Sequence, residues 1–264
     1  EELQLLRRFG IPRSPRVVVM NIYGGNDVRG ATAFHEYRER LAVRGGKPYL
    51  VDACVALPGP VCTVYRTLKE GPIGRSSYAF NLASNATRDG ILRLRRALGS
   101  AAPVEEPSFR YRVRIGGTDV LFNRGNADLD DLEYAARLKS GNISLGVFDE
   151  ALENFVALSR QHGFLPIVSF TPGAYAVYAE RITFEDAPAG ERIQRFSDEQ
   201  RRYFVAKAGE FGYTFVDLTP ALRAAAASSD GLLYFPSNVH LTQVGHAVVG
   251  ETLSAALFHS GILR

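Results

Sequence analysis

Behind Pro15 the chain runs through Val17, Val18, Val19 and Met20 and then breaks into Gly24-Gly25-Asn26-Asp27. Four adjacent apolar residues leave no polar face. A strand built from them has to be covered on both sides, as parallel strands in α/β layer structures are. The rest of the chain keeps to that plan, alternating between strand and helix periods. A helix is expected over 31–41 and a short strand near 48–51. Leu145, Phe148, Leu152, Phe155 and Val156 form the apolar stripe of another helix, ending near His162-Gly163. Residues 165–170 read as a buried strand closed by Thr171-Pro172-Gly173, and 213–218 as a further one. Ser197 is the expected cap of a helix reaching about residue 211, and a last helix is expected over 242–258.

Residues 57–124 are less regular. They hold an expected helix near 77–98 and a hairpin in which Tyr111, Val113 and Ile115 alternate with Arg110, Arg112 and Arg114 before a Gly116-Gly117 turn. This stretch reads as an insertion on a single domain spanning 1–264.

At 264 residues with 46% apolar composition, there is ample material for one core. The 31 basic and 28 acidic residues are spread along the chain, leaving a net charge of +3 that does not argue for a nucleic-acid partner or an anionic membrane surface. Arg93, Arg95 and Arg96 alternate with leucines at helical spacing, as on a solvated helix face. No apolar run is long enough to span a bilayer, and no leader-peptide pattern is present. The first residue is not Met, and Leu3, Leu5, Leu6 and Phe9 read as an amphipathic helix already under way. The expectation is a fragment or processed chain, with any membrane anchor lying in a missing N-terminal part. Cys54 and Cys62 flank the turn-like Pro58-Gly59-Pro60, so a local disulfide stands beside two buried thiols as an alternative. A disulfide would favour a periplasmic or other extracytoplasmic location.

Ligands of open α/β sheets bind beyond the carboxyl ends of the strands, and two polar clusters sit there. In Gly24-Gly25-Asn26-Asp27, the glycines permit close approach of a ligand and the Asn26 amide can donate to a developing oxyanion. The same residues also make an ordinary strand-ending turn. The second cluster, Tyr234 to Thr242 followed by Gly245-His246, puts His240 in a loop just before a helix, a place for a general base as well as for a surface histidine.

Taken together, the two clusters resemble the SGNH (GDSL-like) serine hydrolase family, which has a Gly-x-Asn-Asp block after a central strand and a C-terminal His block followed by Gly-His at a helix start. Gly24 to Asp27 matches the first block and His240 with Gly245-His246 the second; Thr171-Pro172 and Asp217-Leu218-Thr219-Pro220 are also familiar from it. The resemblance covers the start of the chain and most of 140–264. It implies a three-layer α/β/α, flavodoxin-like parallel sheet lacking its first strand. It also implies an ester hydrolase acting on an acyl or acetyl ester of a small molecule, lipid or glycan, with no metal and no organic cofactor. Asn26 would be an oxyanion donor, His240 the base, and Gly24 and Gly25 would lie against substrate.

Two departures stand out. The family's Gly-Asp-Ser block is missing; Ser14, Ser76 and Ser77 lack its context, the latter two reading as a helix cap. Where the family has an acid before the histidine, this chain has Ser237 and Asn238. Asn238 can accept from the imidazole but cannot neutralise imidazolium. On these grounds a carbohydrate O-acyltransferase or O-acetylesterase of the same fold, and a non-catalytic binding module, stand as alternatives.

The remaining polar residues read more plainly. Asp128, Asp130, Asp131 and Glu133 lack the glycine and distal Glu of a calcium loop and suit a helix N-terminus. His35, His162 and His259 read as surface or helix-end residues, and His246 as structural. Asp217 is not named as a substitute acid.

Overall fold

The computed structural model describes residues 2–43, 108–238 and 240–259. The expected strand near 48–51, the helix near 77–98, Arg93, Arg95 and Arg96, and the cysteine pair lie outside these residues. The chain divides into two compact units, one of Glu1–Glu36 with Pro107–Arg264 and one of Tyr37–Glu106. Of the second, the described residues are the end of a helix.

The first unit opens with α1 (Glu2–Leu5), continued by a wider turn over Leu6–Gly10. Then come β1 (Val17–Tyr23), α2 (Asp27–Val43), β2 (Tyr111–Ile115), β3 (Thr118–Phe122) and α3 (Leu129–Lys139). They are followed by α4 (Asp149–His162), β4 (Leu165–Thr171), the short α5 (Ala174–Val177) and β5 (Ile182–Phe184). The unit closes with α6 (Ala187–Phe211), β6 (Thr214–Asp217), α7 (Thr219–Ser228) and α8 (Gln243–His259).

The protein is mixed α/β, with a parallel sheet in the order β1-β4-β6. All seven residues of β1 pair with β4, from Val17 opposite Leu165 to Tyr23 opposite Thr171. Strand alternation sends Val168 and Phe170 into one core, with Ile22, Val28, Leu152, Phe155, Phe196 and Phe204. Ile167 and Val216 enter another, with Leu218, Leu222 and Leu233 and the half-buried Val248 and Leu253. Both faces of the central β4 are thus packed, whereas β1 is only half-buried, contrary to the full cover its apolar run predicts. The far edge of β1 has no partner strand among the described residues, and Val19 remains 39% exposed there.

Local chemistry explains where the helices end. Gly163 takes φ 72° and donates its N–H to Ser159 O, closing α4; Gly212 at φ 85° closes α6. The structure moves the start of α6 ten residues upstream of Ser197. The Asp186 carboxylate accepts from Ala189 N at 3.0 Å and Pro188 occupies the first turn, so the helix is already formed when it reaches Ser197. Ser197 is fully buried inside it.

The β2–β3 hairpin pairs with β5 in an antiparallel sheet ordered β3-β2-β5. Its Tyr111, Val113 and Phe122 are fully buried in the same core as Ile167, so the hairpin is integral to the first unit. Phe170 links the parallel sheet to the first glycine turn: a Cβ on Gly24 would come within 2.6 Å of its ring. Phe170→Ala is expected to cost about 3–5 kcal/mol of unfolding free energy in denaturant titration, with the Gly24 turn loosened first in hydrogen exchange.

Candidate functional site

The turn after β1 is fixed by three hydrogen bonds. Gly24 N donates to Thr171 O at 2.7 Å, extending the β1–β4 ladder by one residue. The Asp27 carboxylate accepts from Tyr23 N at 2.7 Å, which closes the turn, and Gly30 N donates to Asn26 O at 3.0 Å as α2 begins. Gly24 and Gly25 are buried, whereas Asn26 is exposed at the tip. A Cβ on Gly25 would meet the Tyr23 ring at 2.3 Å, so this glycine is required by close packing.

The loop before α8 is anchored just as closely. Tyr234, fully buried, donates its hydroxyl to Pro172 O at 2.7 Å. Phe235 N donates to His240 O at 2.8 Å, and Tyr234 bridges to Leu241, so the intervening residues form a closed loop. Thr242 stops it: its N donates to Leu233 O at 2.8 Å, and its hydroxyl accepts from Gly245 N at 3.3 Å, capping α8. Gly245 has no room for a side chain, since a Cβ would lie 2.3 Å from Leu233 O.

Asn26 and His240 therefore stand on loops tied to adjacent residues, Thr171 and Pro172, at the carboxyl end of β4. His240 is exposed. The Asn238 side-chain oxygen accepts from His240 N at 3.2 Å, so it steadies the loop backbone and is not aimed at the imidazole. Asp217 is held by Arg201, with Nε at 2.9 Å and Nη2 at 2.5 Å, and accepts from Thr219 N at 2.9 Å. It is a structural acid at the end of β6. Among the described residues, no three His, Cys, Asp or Glu side chains are grouped to hold a metal, and no helix is long and apolar enough to cross a membrane.

A third segment adjoins the histidine loop. Arg124 N donates to Pro236 O at 3.4 Å and Gly125 N to Ser237 O at 3.1 Å. Asn123 and Asn126 both take positive φ, 57° and 55°, a conformation that costs on the order of 1 kcal/mol each outside glycine. Asn123 is fully buried; its Nδ2 donates to Phe109 O at 2.6 Å and its Oδ1 accepts from Asp128 N at 3.1 Å. Those bonds hold the strained turn, and with it Arg124, against the histidine loop.

Beneath the three loops lies a buried acid cluster that the charge pattern of α3 conceals. A helix N-terminus accounts for Asp130, which pairs with Arg29, and for the exposed Glu133. It does not account for Asp128, 1% exposed, or Asp131, 3% exposed. Asp128 occupies the cap position without capping; its carboxylate instead accepts from Tyr111 Oη at 2.8 Å. Tyr175 Oη donates toward Asp131 Oδ2 and Gly24 O, both at 3.4 Å, and Gln200 Nε2 donates to Gly24 O at 3.0 Å. Burial lifts the Asp128 carboxyl to about 7, partly offset by the Tyr111 hydrogen bond. Burial, and next the charge of Asp128, raise Asp131 as well. Tyr23, Tyr111, Tyr175 and Tyr234 are all pushed upward, burial first. The sequence offered one signal for this cluster, the i, i+3 spacing of two acids against a helix face that also carries Leu132 and Ala135.

Set against known protein families, characterised proteins and solved structures, the chain matches none.

Because folded Asp128 holds its proton to about pH 7 while an unfolded Asp ionises near pH ~3.9, the native state binds more protons between these limits. Stability should therefore fall as pH rises from about 4 to about 7 and then level off. Asp128→Asn is expected to flatten this slope and to stabilise the fold at pH 8 by about 2–4 kcal/mol, measured by denaturant titration across the range.

Proposed function

We propose that the chain carries the oxyanion-donor and general-base half of an SGNH-type ester hydrolase, on a three-layer flavodoxin-like sheet. The observation that carries this reading is the tethering of the two loops to neighbouring residues of one strand end, Gly24 N on Thr171 O and Tyr234 Oη on Pro172 O. Loops at the carboxyl ends of parallel strands are where such folds bind ligands. Among the described residues no strand pairs with the outer edge of β1, and in this reading a further parallel strand carrying the serine would pair there.

In this scheme His240 takes the proton from the serine hydroxyl as its oxygen attacks the ester carbonyl. The Asn26 amide donates to the oxyanion, a contribution of roughly 2.7–4 kcal/mol in comparable sites. The imidazolium then protonates the departing alcohol, leaving an acyl-serine that water hydrolyses by the same relay. Asn238 would leave the imidazolium without a neutralising partner, a change that costs about 10⁴ in rate in serine proteases. The engagement of Asn238 with the backbone of His240 favours the rival reading, a non-catalytic module that binds an ester without cleaving it.

The test uses the longest form of the protein that its gene encodes, assayed with p-nitrophenyl acetate. Turnover should be present, be lost on His240→Ala and fall about 10²–10³-fold on Asn26→Ala. Turnover that survives His240→Ala would remove this residue from the chemistry. No turnover, with retained binding of the ester, would establish the binding module.

A further inference from the structure

We propose that Asp128 and Asp131 form a proton-operated latch, which seats the 123–126 turn against the histidine loop and releases it when the acids ionise. The two stand at i, i+3 at the start of α3, and both are buried. Two like charges that close, in an apolar interior, cannot both form without drawing in water or a cation. Tyr23 of β1, Tyr111 of β2, Tyr175 of α5 and Tyr234 of the histidine loop face Asp128 with hydroxyls that burial keeps neutral. The hydrogen bond from Tyr111 offsets the burial of Asp128 only in part. Asp131 is faced by Tyr175, by the neighbouring Asp130 and by Arg29 of α2, and Arg29 is paired with Asp130. On the Asp131 side, Gln200 Nε2 shares Gly24 O with Tyr175, and the buried Gln200 Oε1 has no hydrogen-bond partner. An open acceptor beside two buried acids suits a cluster that keeps a proton, not one that carries two charges.

The 123–126 turn is the element that ionisation moves first. Asn123 holds it from inside, and its Oδ1 accepts from the N–H of Asp128 itself at 3.1 Å. A carboxylate shifting toward water therefore takes a bond of the turn with it. Asn123 and Asn126 hold positive φ, so the turn relaxes when those bonds go. What it loses is its seat on the histidine loop, Gly125 N on Ser237 O and Arg124 N on Pro236 O. The Gly24 turn is better secured, because Gly24 N continues the β1–β4 ladder onto Thr171 O at 2.7 Å. The latch thus acts on the His240 side and leaves Asn26 in place. It works on the loop whether or not an ester is cleaved there.

The experiment is electron paramagnetic resonance of a nitroxide at Arg124→Cys, an exposed position, in the full chain with Cys54 and Cys62 replaced by serine. With the turn seated, Asp128 holds its proton to about pH 7. Released into water it ionises near pH ~3.9, so rising pH favours release. From about pH 5.5 to about pH 8.5 the ratio of mobile to immobile label should rise about thirtyfold. The response should disappear when Asp128→Asn and Asp131→Asn are combined, and diminish in either single variant. It should persist in His240→Gln, which removes the imidazole of the adjoining loop. A label at Asn26→Cys should not respond. The latch is overturned by a silent label at Arg124→Cys, by an undiminished response in the double or either single variant, or by loss of the response with His240→Gln. Equal responses at the two label positions overturn it as well. Turnover is not read, so failure here is separate from failure of the hydrolase reading.

Discussion

The seven-residue parallel ladder between Val17–Tyr23 and Leu165–Thr171 decides what the loops at its carboxyl end can do together. It puts Tyr23 level with Thr171, and the next amide, Gly24 N, still reaches Thr171 O. One residue further along β4, Pro172 O receives the Tyr234 hydroxyl from the loop that carries His240. A shift of β1 by one residue would exchange its core-facing and outward side chains. It would also carry Asn26 away from the histidine loop.

Much of this was legible in the sequence for a simple reason: buried parallel strands and amphipathic helices leave strong periodic patterns. The 165–170 strand and the stripe of Leu152, Phe155 and Val156 are such cases; Val17 to Met20 form the expected strand but lie only half-buried, with Val19 exposed. The start of α6 was less legible, because Ser197 resembles a cap and the true cap, Asp186, stands before a Pro-Ala-Gly stretch of weak helical propensity. The hairpin was legible in its alternation but not in its partner: pairing with β5 joins residues some seventy positions apart. The least legible feature was the acid cluster. Charge at a helix start normally means solvent, and the engagement of Asp128 by Tyr111 and of Asp131 by Tyr175 reverses that.

The acids and the loops form one construction. Asn123 holds the strained turn that meets the histidine loop, and the same side chain accepts from the backbone of Asp128. Tyr175 connects Asp131 to Gly24 O, which Gln200 also bonds from α6. The hydrogen bonds among these buried acids, tyrosines and amides give the loops rigid support.

Convergence of the residue 26 and residue 240 side chains on one cleft is the claim from which the chemistry follows. The direct measurement is electron paramagnetic resonance of nitroxides attached at Asn26→Cys and His240→Cys, with Cys54 and Cys62 replaced by serine. Mutual broadening of the two labels in frozen solution is the predicted result. Unbroadened spectra, with a separation approaching the ~35 Å expected across a unit of this size, would contradict it.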